Sequence, residues 1–384
     1  MAQNRRAKGE GGIYRRKDGR WAGQCVGETT AGPKRRYVYG KSRKEAAERL
    51  RKALAGRDEG LAFHAGSLTP GDYLGRWLND SVRGTVKAKT FEGHEARVRV
   101  HIAPLLGRVK LKALNPADIQ RLYRRKLDQG LSSSTVQCVH KTLHKALKQA
   151  VRWGLIPRNV CDAVDAPGPS EPEITPLDAK QLNRFLYAAK DDRLFALYQL
   201  AATTGLRLGE LLGLRWKDID LGRGVLSVNR TLTRTGADKL SFDRPKSAKS
   251  RRSVGLTPDT LEVLKEHRQR QRAEGLGRDE GLVFCSGKGT PLNPSNVRNR
   301  SFKPLLRRAV LPDVTFHAAT RHTYATLLLS EGVHPKIVQE LLGHARIGLT
   351  LDTYSHVLPG MGDGAVRAIQ DALSEPENGG RPNG

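Results

Sequence analysis

A proline-rich segment divides the chain and limits how it can fold. Residues 163–176 read Ala-Val-Asp-Ala-Pro-Gly-Pro-Ser-Glu-Pro-Glu-Ile-Thr-Pro and hold four prolines. Proline lacks the backbone N–H that the interior of a helix needs, so this segment should stay extended. We therefore expect a linker here, with at least one folding unit on each side of it in a chain of 384 residues.

The first sixty residues predict a small and strongly basic unit. They hold 17 Lys and Arg against 7 Asp and Glu. Asp18-Gly19 is a strong hairpin signal, and Ser42 and Glu45 have the spacing of a capping box that starts a helix. We expect a three-stranded sheet plus one helix over 1–62. The predicted strands lie at 12–15, 20–26 and 35–40.

The second segment, 66–165, predicts a helical domain. Two helix starts place a capping residue before Pro and an acid, at Thr69-Pro70-Gly71-Asp72 and Asn115-Pro116-Ala117-Asp118. The capping oxygen accepts from free amides, Pro lacks the N–H that would be left unpaired, and the acid faces the positive helix end. A further helix at 133–153 carries apolar residues on one face and basic residues on the other.

The third segment, 171–372, predicts a mixed domain. A helix should start at the cap Thr175-Pro176-Leu177-Asp178, strands should follow near 225–229 and 252–255, and helices should return after them. The tail, 374–384, is rich in Gly, Pro and Asn and should be disordered. The whole chain is therefore expected to be a multidomain α+β protein, mainly helical with small β-sheets.

The charge of the chain indicates a polyanionic partner. Lys and Arg number 67 against 39 Asp and Glu, a formal net charge of +28. Such an excess costs self-repulsion, whereas each neutralised DNA phosphate releases a condensed counterion. We therefore expect double-stranded DNA to bind basic residues of the first two segments. The candidates are Arg15, Arg16, Lys34, Arg35, Arg36, Lys141, Lys145 and Lys148.

Several other classes of protein fit poorly. The chain lacks a long apolar run and a signal-peptide pattern, so we expect no membrane partner and a cytoplasmic protein. Its four cysteines are too widely spaced for a zinc motif, and a disulfide framework is not expected. Five of eleven histidines fall within 317–356, but no H-E-x-x-H pattern or carboxylate partner accompanies them, which disfavours a metalloenzyme.

One motif, at 204–212, reads Thr-Gly-Leu-Arg-Leu-Gly-Glu-Leu-Leu. A helix should end at Gly205 and another should begin, with Arg207 at its start and Glu210 one turn on. A guanidinium is a planar fork that grips two phosphate oxygens. Alone, the motif fits a surface ion pair of little energetic weight equally well.

A second motif, at 244–254, reads Arg-Pro-Lys-Ser-Ala-Lys-Ser-Arg-Arg-Ser-Val. We expect it at the tip of a hairpin, where Lys246 can reach a substrate from the side. Neighbouring cations would lower the pKa of such a lysine and make it a proton donor. Lys249 is the alternative donor, and a basic loop that touches phosphates is the alternative reading of the motif.

Two further motifs, at 316–326 and 341–357, contain His317, Arg321, His344 and Tyr354. Each of these residues taken singly is more simply a packing or surface residue. Taken together, the motifs supply two Arg, a Lys, two His and a Tyr, without a carboxylate cluster for Mg²⁺. Phosphoryl transfer without a metal needs cations for the phosphate oxygens, a proton donor for the leaving oxygen and an activated nucleophile.

The order and wording of these motifs resemble the tyrosine recombinase, or phage integrase, family. The resemblance rests on T-G-L-R-L-G-E-L-L, P-K-S, R-H-T-Y-A-T-L-L-L and L-L-G-H followed by T-L-D-T-Y-S-H-V. It covers nearly all of the third segment. The first two segments are similar to that family's arm-type DNA-binding domain and its SAM-like core-binding domain.

The resemblance implies a role for each motif. Tyr354 would form a 3′-phosphotyrosine bond, and Lys246 would protonate the departing 5′ oxygen. The other roles would be a phosphate clamp from Arg207 and Arg321, proton transfer by His317, a phosphate hydrogen bond from His344 and support from Glu210. Neither ATP nor a metal would be needed, so no cofactor is expected.

The resemblance also implies partners and an assembly. A homotetramer would form on two DNA attachment sites, from a monomer or weak oligomer, and the helix at 363–373 would dock on a neighbouring protomer. An excisionase or a DNA-bending protein would be an accessory partner. Integration or excision of a phage or mobile element would follow.

One departure from the family pattern concerns His317. The family has two residues between this histidine and the arginine, whereas three separate His317 from Arg321. The extra residue would turn His317 by about 100° in a continuous helix, unless a loop before the helix absorbs it. The insertion favours one alternative, a catalytically impaired DNA-binding protein. A type IB topoisomerase is the other alternative, because it shares the chemistry.

Overall fold

The computed structural model divides into two compact units, with the division between Pro172 and Glu173. This division falls within the segment expected to be a linker. The finer boundaries expected from the sequence stay predictions. The structure describes residues 12–29, 32–58, 68–168, 175–236, 239–243, 251–354, 369–371 and 373.

The first unit begins with the predicted antiparallel sheet. β1 (Gly12–Arg15) pairs with β2 (Trp21–Thr29), and β2 pairs with β3 (Gly32–Gly40). The hairpin expected at Asp18-Gly19 is confirmed, and Gly19 closes its turn in the left-handed region at φ +81°. β2 and β3 are both longer than their sequence predictions.

One helix follows the sheet, α1 (Arg43–Asp58). The Glu45 N–H donates to Ser42 Oγ at 3.1 Å, as the capping pattern predicts. The Glu45 carboxylate accepts from the backbone N–H of Lys41 at 2.8 Å, one residue before the position that a regular capping box uses.

The helical part of the first unit contains five α-helices among the described residues. They are α2 (Pro70–Trp77), α3 (Ala88–Ala96), α4 (Ala103–Leu106), α5 (Pro116–Asp128) and α6 (Ser133–Arg152). The predicted caps are confirmed, since Thr69 Oγ1 accepts from Asp72 N at 3.2 Å and Asn115 forms a full capping box with Asp118. Every fourth or third residue on one face of α6 is buried, which joins this helix to the core.

The second unit packs helices around small sheets. Its helices are α7 (Ala179–Ala189), α8 (Phe195–Thr204), α9 (Leu208–Leu211), α10 (Pro258–Ala273), α11 (Pro294–Asn296), α12 (Lys303–Arg308), α13 (Thr323–Ser330), α14 (Pro335–Leu342) and α15 (Ile347–Tyr354). The predicted helix ends at Gly205 and Gly343 are confirmed. Gly205 caps α8 and Gly343 caps α14, each in the left-handed region.

The strands of the second unit differ from the prediction. The two predicted strands are present as β5 (Val225–Ser227) and β8 (Ser253–Gly255), and they pair in one sheet with β4 (Ile219–Asp220). Between them, β6 (Thr231–Thr235) and β7 (Lys239–Asp243) form a separate hairpin that the sequence did not reveal.

The expected hairpin tip at Lys246 stays a prediction. Lys246 would lie between β7 and β8, which belong to different sheets. Lys246 and Lys249 themselves lie outside the described residues.

The start of α7 also differs from the prediction. Asp178, and not Thr175, is the N-cap, and its side chain accepts from Gln181 N at 2.7 Å while Gln181 Oε1 accepts from Asp178 N at 3.0 Å. Leu177 is buried, and its N–H donates to Thr323 Oγ1 at 2.9 Å. This buried leucine fixes the chain before the helix begins, so the cap comes three residues later.

The remaining predictions have mixed outcomes. None of the four cysteines forms a disulfide. Among the described residues, no helix is long and apolar enough to cross a membrane. The predicted tail lies outside the described residues, as does most of the predicted helix at 363–373.

Candidate active site

Arg321 is the buried centre of the candidate site. It is 1% exposed, and its guanidinium donates to Gly205 O at 2.9 Å and to Leu342 O at 2.7 Å. These carbonyls lie at the C-terminal ends of α8 and α14, where backbone acceptors lack helical partners and the helix dipole is negative. Arg321 thus joins two helix ends and keeps further N–H groups for a substrate.

Gly205 is required by this arrangement. Its φ is +60°, and a Cβ on it would lie 2.6 Å from Tyr324 Cδ1. A side chain at this position would therefore both strain the backbone and displace the aromatic ring. The absence of a side chain at this glycine of the first motif allows the end of α8 to pack closely against α13.

Glu210 lies between two arginines. Its carboxylate accepts from Arg207 Nη1 at 2.8 Å and from Arg252 Nη2 at 3.2 Å, and it also accepts from the Arg207 N–H at 3.0 Å. Burial alone would raise the pKa of Glu210, but Arg252 and Arg207 outweigh it and hold this pKa below its usual value. Glu210 is therefore ionised at neutral pH and fixes both guanidinium groups.

Arg252 belongs to the same cluster, although the sequence analysis gave it no role. Its side chain is almost fully buried, and Nε donates to Leu341 O at 2.6 Å, beside the carbonyl that Arg321 binds. The sequence carried only a weak signal for it, a second arginine before strand β8. Its carboxylate partner is 42 residues away along the chain.

The extra residue before Arg321 lies in a helical segment. The sequence offered a rotated His317 or a loop, and the loop is not present, because His317 is already helical. Ala318–His322 forms a π-helical turn that leads into α13. A π turn holds one residue more than an α turn, which is room for one inserted residue. The His317 ring lies edge-on to the His322 ring, with centroids 4.7 Å apart.

The electrostatic surroundings of His317 place it with the other candidates. It presents an exposed edge, while burial of the rest of the ring lowers its pKa. Nearby cations lower that pKa further. These neighbours are His322, Arg321, Arg207 and His344, so three predicted residues, Arg207, Arg321 and His344, lie close to His317.

His344 directly follows the cap of α14. It is buried, and its Nδ1 lies 2.8 Å from Thr350 Oγ1 on α15. Burial and then Arg321 and Arg207 lower the pKa of His344 to about 4. His344 is therefore neutral at pH 7, with one ring nitrogen held by Thr350 and the other available.

Tyr354 ends α15 and is 2% exposed. Its hydroxyl lies 2.7 Å from His322 Nδ1. Burial raises the pKa of Tyr354 to about 12, and the nearby Arg321 opposes this rise. His322 was also missed as a functional candidate, because a histidine directly after the motif arginine has no diagnostic spacing of its own.

The site carries excess positive charge. Burial and then Arg207 lower the pKa of Arg321 to about 9, so its guanidinium stays charged at neutral pH. Arg207, Arg252 and Arg321 therefore face the single charge of Glu210 in this cluster. A cation excess that is largely removed from water is costly unless an anion enters, and a phosphodiester carries charge of the opposite sign.

The predicted DNA-contact residues belong to the first unit. Lys141, Lys145 and Lys148 are exposed along one stripe of α6. Arg15 and Arg35 are exposed on the N-terminal sheet, and Arg16 is exposed directly after β1. Lys34 and Arg36 belong to β3, but their side chains lie outside the described residues.

Comparison with known proteins decides the family. The model of the phage integrase family matches residues 175–360, and that of the phage integrase N-terminal SAM-like domain matches residues 69–127. A tyrosine recombinase XerC-like protein of Caldanaerobacter subterraneus subsp. tengcongensis is 35% identical over 88% of this chain and 92% of its own length. The chain belongs to the phage integrase family of tyrosine recombinases.

Solved structures share the fold of this recombinase. The Tn1549 transposon integrase in complex with a circular intermediate DNA has a TM-score of 0.69 at 25% identity, over 80% of this chain and all of that one. A lambda integrase tetramer bound to a Holliday junction has a TM-score of 0.59 at 21% identity, over 91% and 96% of the two chains. The recombinase is thus a DNA strand transferase that acts at specific sites.

Proposed function

We propose that this recombinase cuts DNA by attack of Tyr354 on one phosphodiester, which leaves a 3′-phosphotyrosine and a free 5′-hydroxyl. The observation that carries the proposal is the buried tyrosine hydroxyl near Arg321, an arginine that belongs to a cluster with excess positive charge. The bond energy is conserved in the protein–DNA link, so rejoining needs no high-energy cofactor. Integration or excision of a mobile element would follow from such cutting and rejoining at its attachment sites.

The two motif arginines fit a clamp on the scissile phosphate. Arg321 is fixed by two carbonyls, and Arg207 is fixed by Glu210, so both present unused N–H groups in set positions. Donors fixed in advance stabilise the charge that develops in the transition state. Arg207 keeps 38% of its side chain exposed, which leaves it open to DNA.

His344 fits a hydrogen-bond donor to the same phosphate. If the Thr350 hydroxyl donates to His344 Nδ1, the proton of the neutral ring stays on Nε2 and can point to a phosphate oxygen. His317 presents its exposed edge for proton transfer. The edge-on contact of its ring with His322 supports a place for His317 in the active site.

Lys246 is proposed as the acid that protonates the leaving 5′ oxygen, and this role rests on the motif. Lys249 is the alternative. A DNA substrate with sulfur in place of the 5′ bridging oxygen separates them, because a thiolate leaves without a proton. The variant of the true acid should lose cleavage on oxygen DNA and regain it on sulfur DNA, whereas the other variant should behave alike on both.

Two surfaces of the first unit fit contacts with duplex DNA. The exposed face of the N-terminal sheet presents Tyr14, Tyr37 and Tyr39 together with Arg35, and the Arg16 guanidinium lies 5.1 Å from the centre of the Tyr39 ring. The lysine stripe of α6 is the second surface. Both surfaces would bind backbone phosphates, and phosphate contacts do not distinguish one base sequence from another. The choice of attachment site therefore rests on other contacts.

We propose a homotetramer on two attachment sites, in line with the tetramer that lambda integrase forms on a Holliday junction. A free monomer or weak oligomer would assemble on DNA. Action on chromosomal DNA implies a cytoplasmic, nucleoid-associated protein, and an excisionase or DNA-bending protein would set the direction.

A covalent trap in cells tests the function. The wild type and Tyr354→Phe are expressed with the mobile-element DNA and its target, the lysate is denatured, and DNA that stays on the purified protein is sequenced. We expect attached DNA that ends at one discrete sequence in the wild type alone. Attached DNA in both proteins would contradict the role of Tyr354, and loss of DNA binding in Tyr354→Phe would contradict it as well.

A further inference from the structure

The hydroxyl of Tyr354 is held by His322, a residue outside the roles assigned above. His322 Nδ1 lies 2.7 Å from Tyr354 Oη, and the two ring centroids are 5.6 Å apart. The contact joins the π turn to the end of α15, 32 residues along the chain. A tyrosine hydroxyl at this distance from an imidazole nitrogen has a proton acceptor in place before DNA arrives.

We propose that His322 Nδ1 accepts the phenolic proton of Tyr354 as the tyrosine oxygen attacks the scissile phosphate. This inference rests on the proposed role of Tyr354 as nucleophile. It makes His322 a catalytic residue, because it contacts the reacting oxygen itself.

The proposed step balances in protons and bonds. The bond from Tyr354 Oη to phosphorus forms, the bond from phosphorus to the 5′ oxygen breaks, and the phenolic proton moves to His322 Nδ1. The leaving 5′ oxygen takes its proton from the separate acid. On rejoining, the 5′-hydroxyl attacks the phosphotyrosine, and the proton on His322 returns to the tyrosine oxygen.

The resting protonation states leave the proton on Tyr354 and an acceptor on His322. Burial and then Arg321 lower the pKa of His322 to about 4, so its ring is neutral at pH 7 and one nitrogen holds a lone pair. Burial keeps Tyr354 protonated at the same pH. The pair therefore rests as imidazole and phenol, and the phenol loses its proton only as phosphorus–oxygen bonding begins.

An incoming phosphate strengthens the acceptor. The charged and titratable groups around the His322 ring are His317, edge-on at 4.7 Å, Tyr354, Arg321 and His344. The cationic members of this set disfavour a proton on His322. A phosphate brought between Arg207 and Arg321 adds negative charge beside them and raises the proton affinity of the imidazole.

Two substitutions separate proton transfer from positioning. His322→Asn places an amide where Nδ1 stands, so it keeps a hydrogen bond to Tyr354 but takes no proton, and His322→Ala removes both. We expect both variants to lose about 100-fold in the single-turnover rate of covalent complex formation, with unchanged DNA affinity and thermal midpoint. Wild-type cleavage by His322→Asn would overturn the proposal, since a mere positioning role would survive in that variant.

A sulfur-substituted substrate assigns the side of the reaction. With a 5′ bridging sulfur the leaving group needs no proton, so the loss in His322→Asn should persist. A recovered rate on sulfur DNA would place His322 on the leaving-group side and overturn the proposal. His334→Asn, an exposed histidine before α14, is the matched control and should cleave both substrates as the wild type does.

Tyr354→Phe, measured in parallel, distinguishes failure of the proposed nucleophile from failure of the proposed proton acceptor. Cleavage of either substrate by Tyr354→Phe would overturn the proposed nucleophile and this inference with it. An inactive Tyr354→Phe beside a fully active His322→Asn would overturn this inference alone.

Discussion

The two basic regions of this recombinase hold their charges in opposite ways. In the catalytic unit, the side chains of Arg321 and Arg252 are almost fully buried, and helix-end carbonyls and Glu210 fix their positions. On α6, Lys141, Lys145 and Lys148 are exposed in water. Burying a cation costs free energy, but a buried cation acts with fixed geometry. Leaving a cation exposed costs little free energy, and its contribution to DNA affinity falls as the salt concentration rises. The buried set should therefore control rate, and the exposed set should control affinity.

The largest effect is expected from Arg321→Lys. An ammonium cannot hold both Gly205 O and Leu342 O and also grip a phosphate, since it lacks the planar fork. We expect a loss of about 1000-fold in single-turnover cleavage, with DNA affinity and its salt dependence unchanged. The measurement is covalent complex formation on a saturating substrate. A normal rate with weakened binding would reverse the assignment of the two regions.

Glu210→Gln should cost stability. The guanidinium groups of Arg207 and of the almost fully buried Arg252 would lose their shared carboxylate, and we expect a drop of about 3 kcal/mol in the free energy of unfolding, measured with urea. Glu280→Gln, an exposed acid beside Lys217, is the control and should leave stability unchanged.

The same residue predicts a pH dependence. Because the pKa of Glu210 is lower in the folded than in the unfolded state, its contribution is present above the ordinary carboxyl pKa and is lost as pH falls through the folded value. The stability difference between wild type and Glu210→Gln should therefore shrink in acid. A difference that stays constant with pH would contradict an ionised Glu210.

The lysine stripe of α6 should control the salt dependence of binding. Replacing Lys141, Lys145 and Lys148 with Gln should reduce the slope of log affinity against log salt by about three, with the saturated cleavage rate intact. The same three positions changed to Arg keep the charge and should keep the slope. An unchanged slope in the Gln variant would remove α6 from the DNA-contact surface.

The smallest effect is expected outside both basic regions. Val310 follows α12 at φ +52° and is 82% exposed, a left-handed position that a β-branched residue rarely adopts. Val310→Gly should raise the free energy of unfolding by about 1 kcal/mol and leave cleavage unchanged. Val310→Ala, which keeps the strain, should give little gain. A destabilised glycine variant would contradict the strain at this position.

The sequence predicted what short-range patterns determine. Helix ends at Gly205 and Gly343 and the caps at Thr69 and Asn115 depend on residues within one turn, and all four are confirmed. The N-cap of α7 was misplaced, because the burial of Leu177 depends on a distant helix. Local propensity cannot register such a tertiary contact.

The site was only partly visible in the sequence for the same reason. The candidate residues were recognised because they lie in short sequence motifs. Arg252 and His322 gain their partners only when distant segments of the chain meet. The π turn at Ala318–His322 depends on packing against neighbouring elements. Residue spacing alone therefore left two alternatives for His317, a rotated side chain or a loop.

The most direct test of the account is to map the amino acid that carries DNA. Covalent complex made on a short duplex with the target site is digested with protease and nuclease, and the nucleotide-bearing peptide is sequenced by mass spectrometry. The account predicts a 3′-phosphodiester on Tyr354 and a free 5′-hydroxyl on the other strand end. A nucleotide on Tyr324 or on a serine, or a 5′-linked nucleotide, would contradict it.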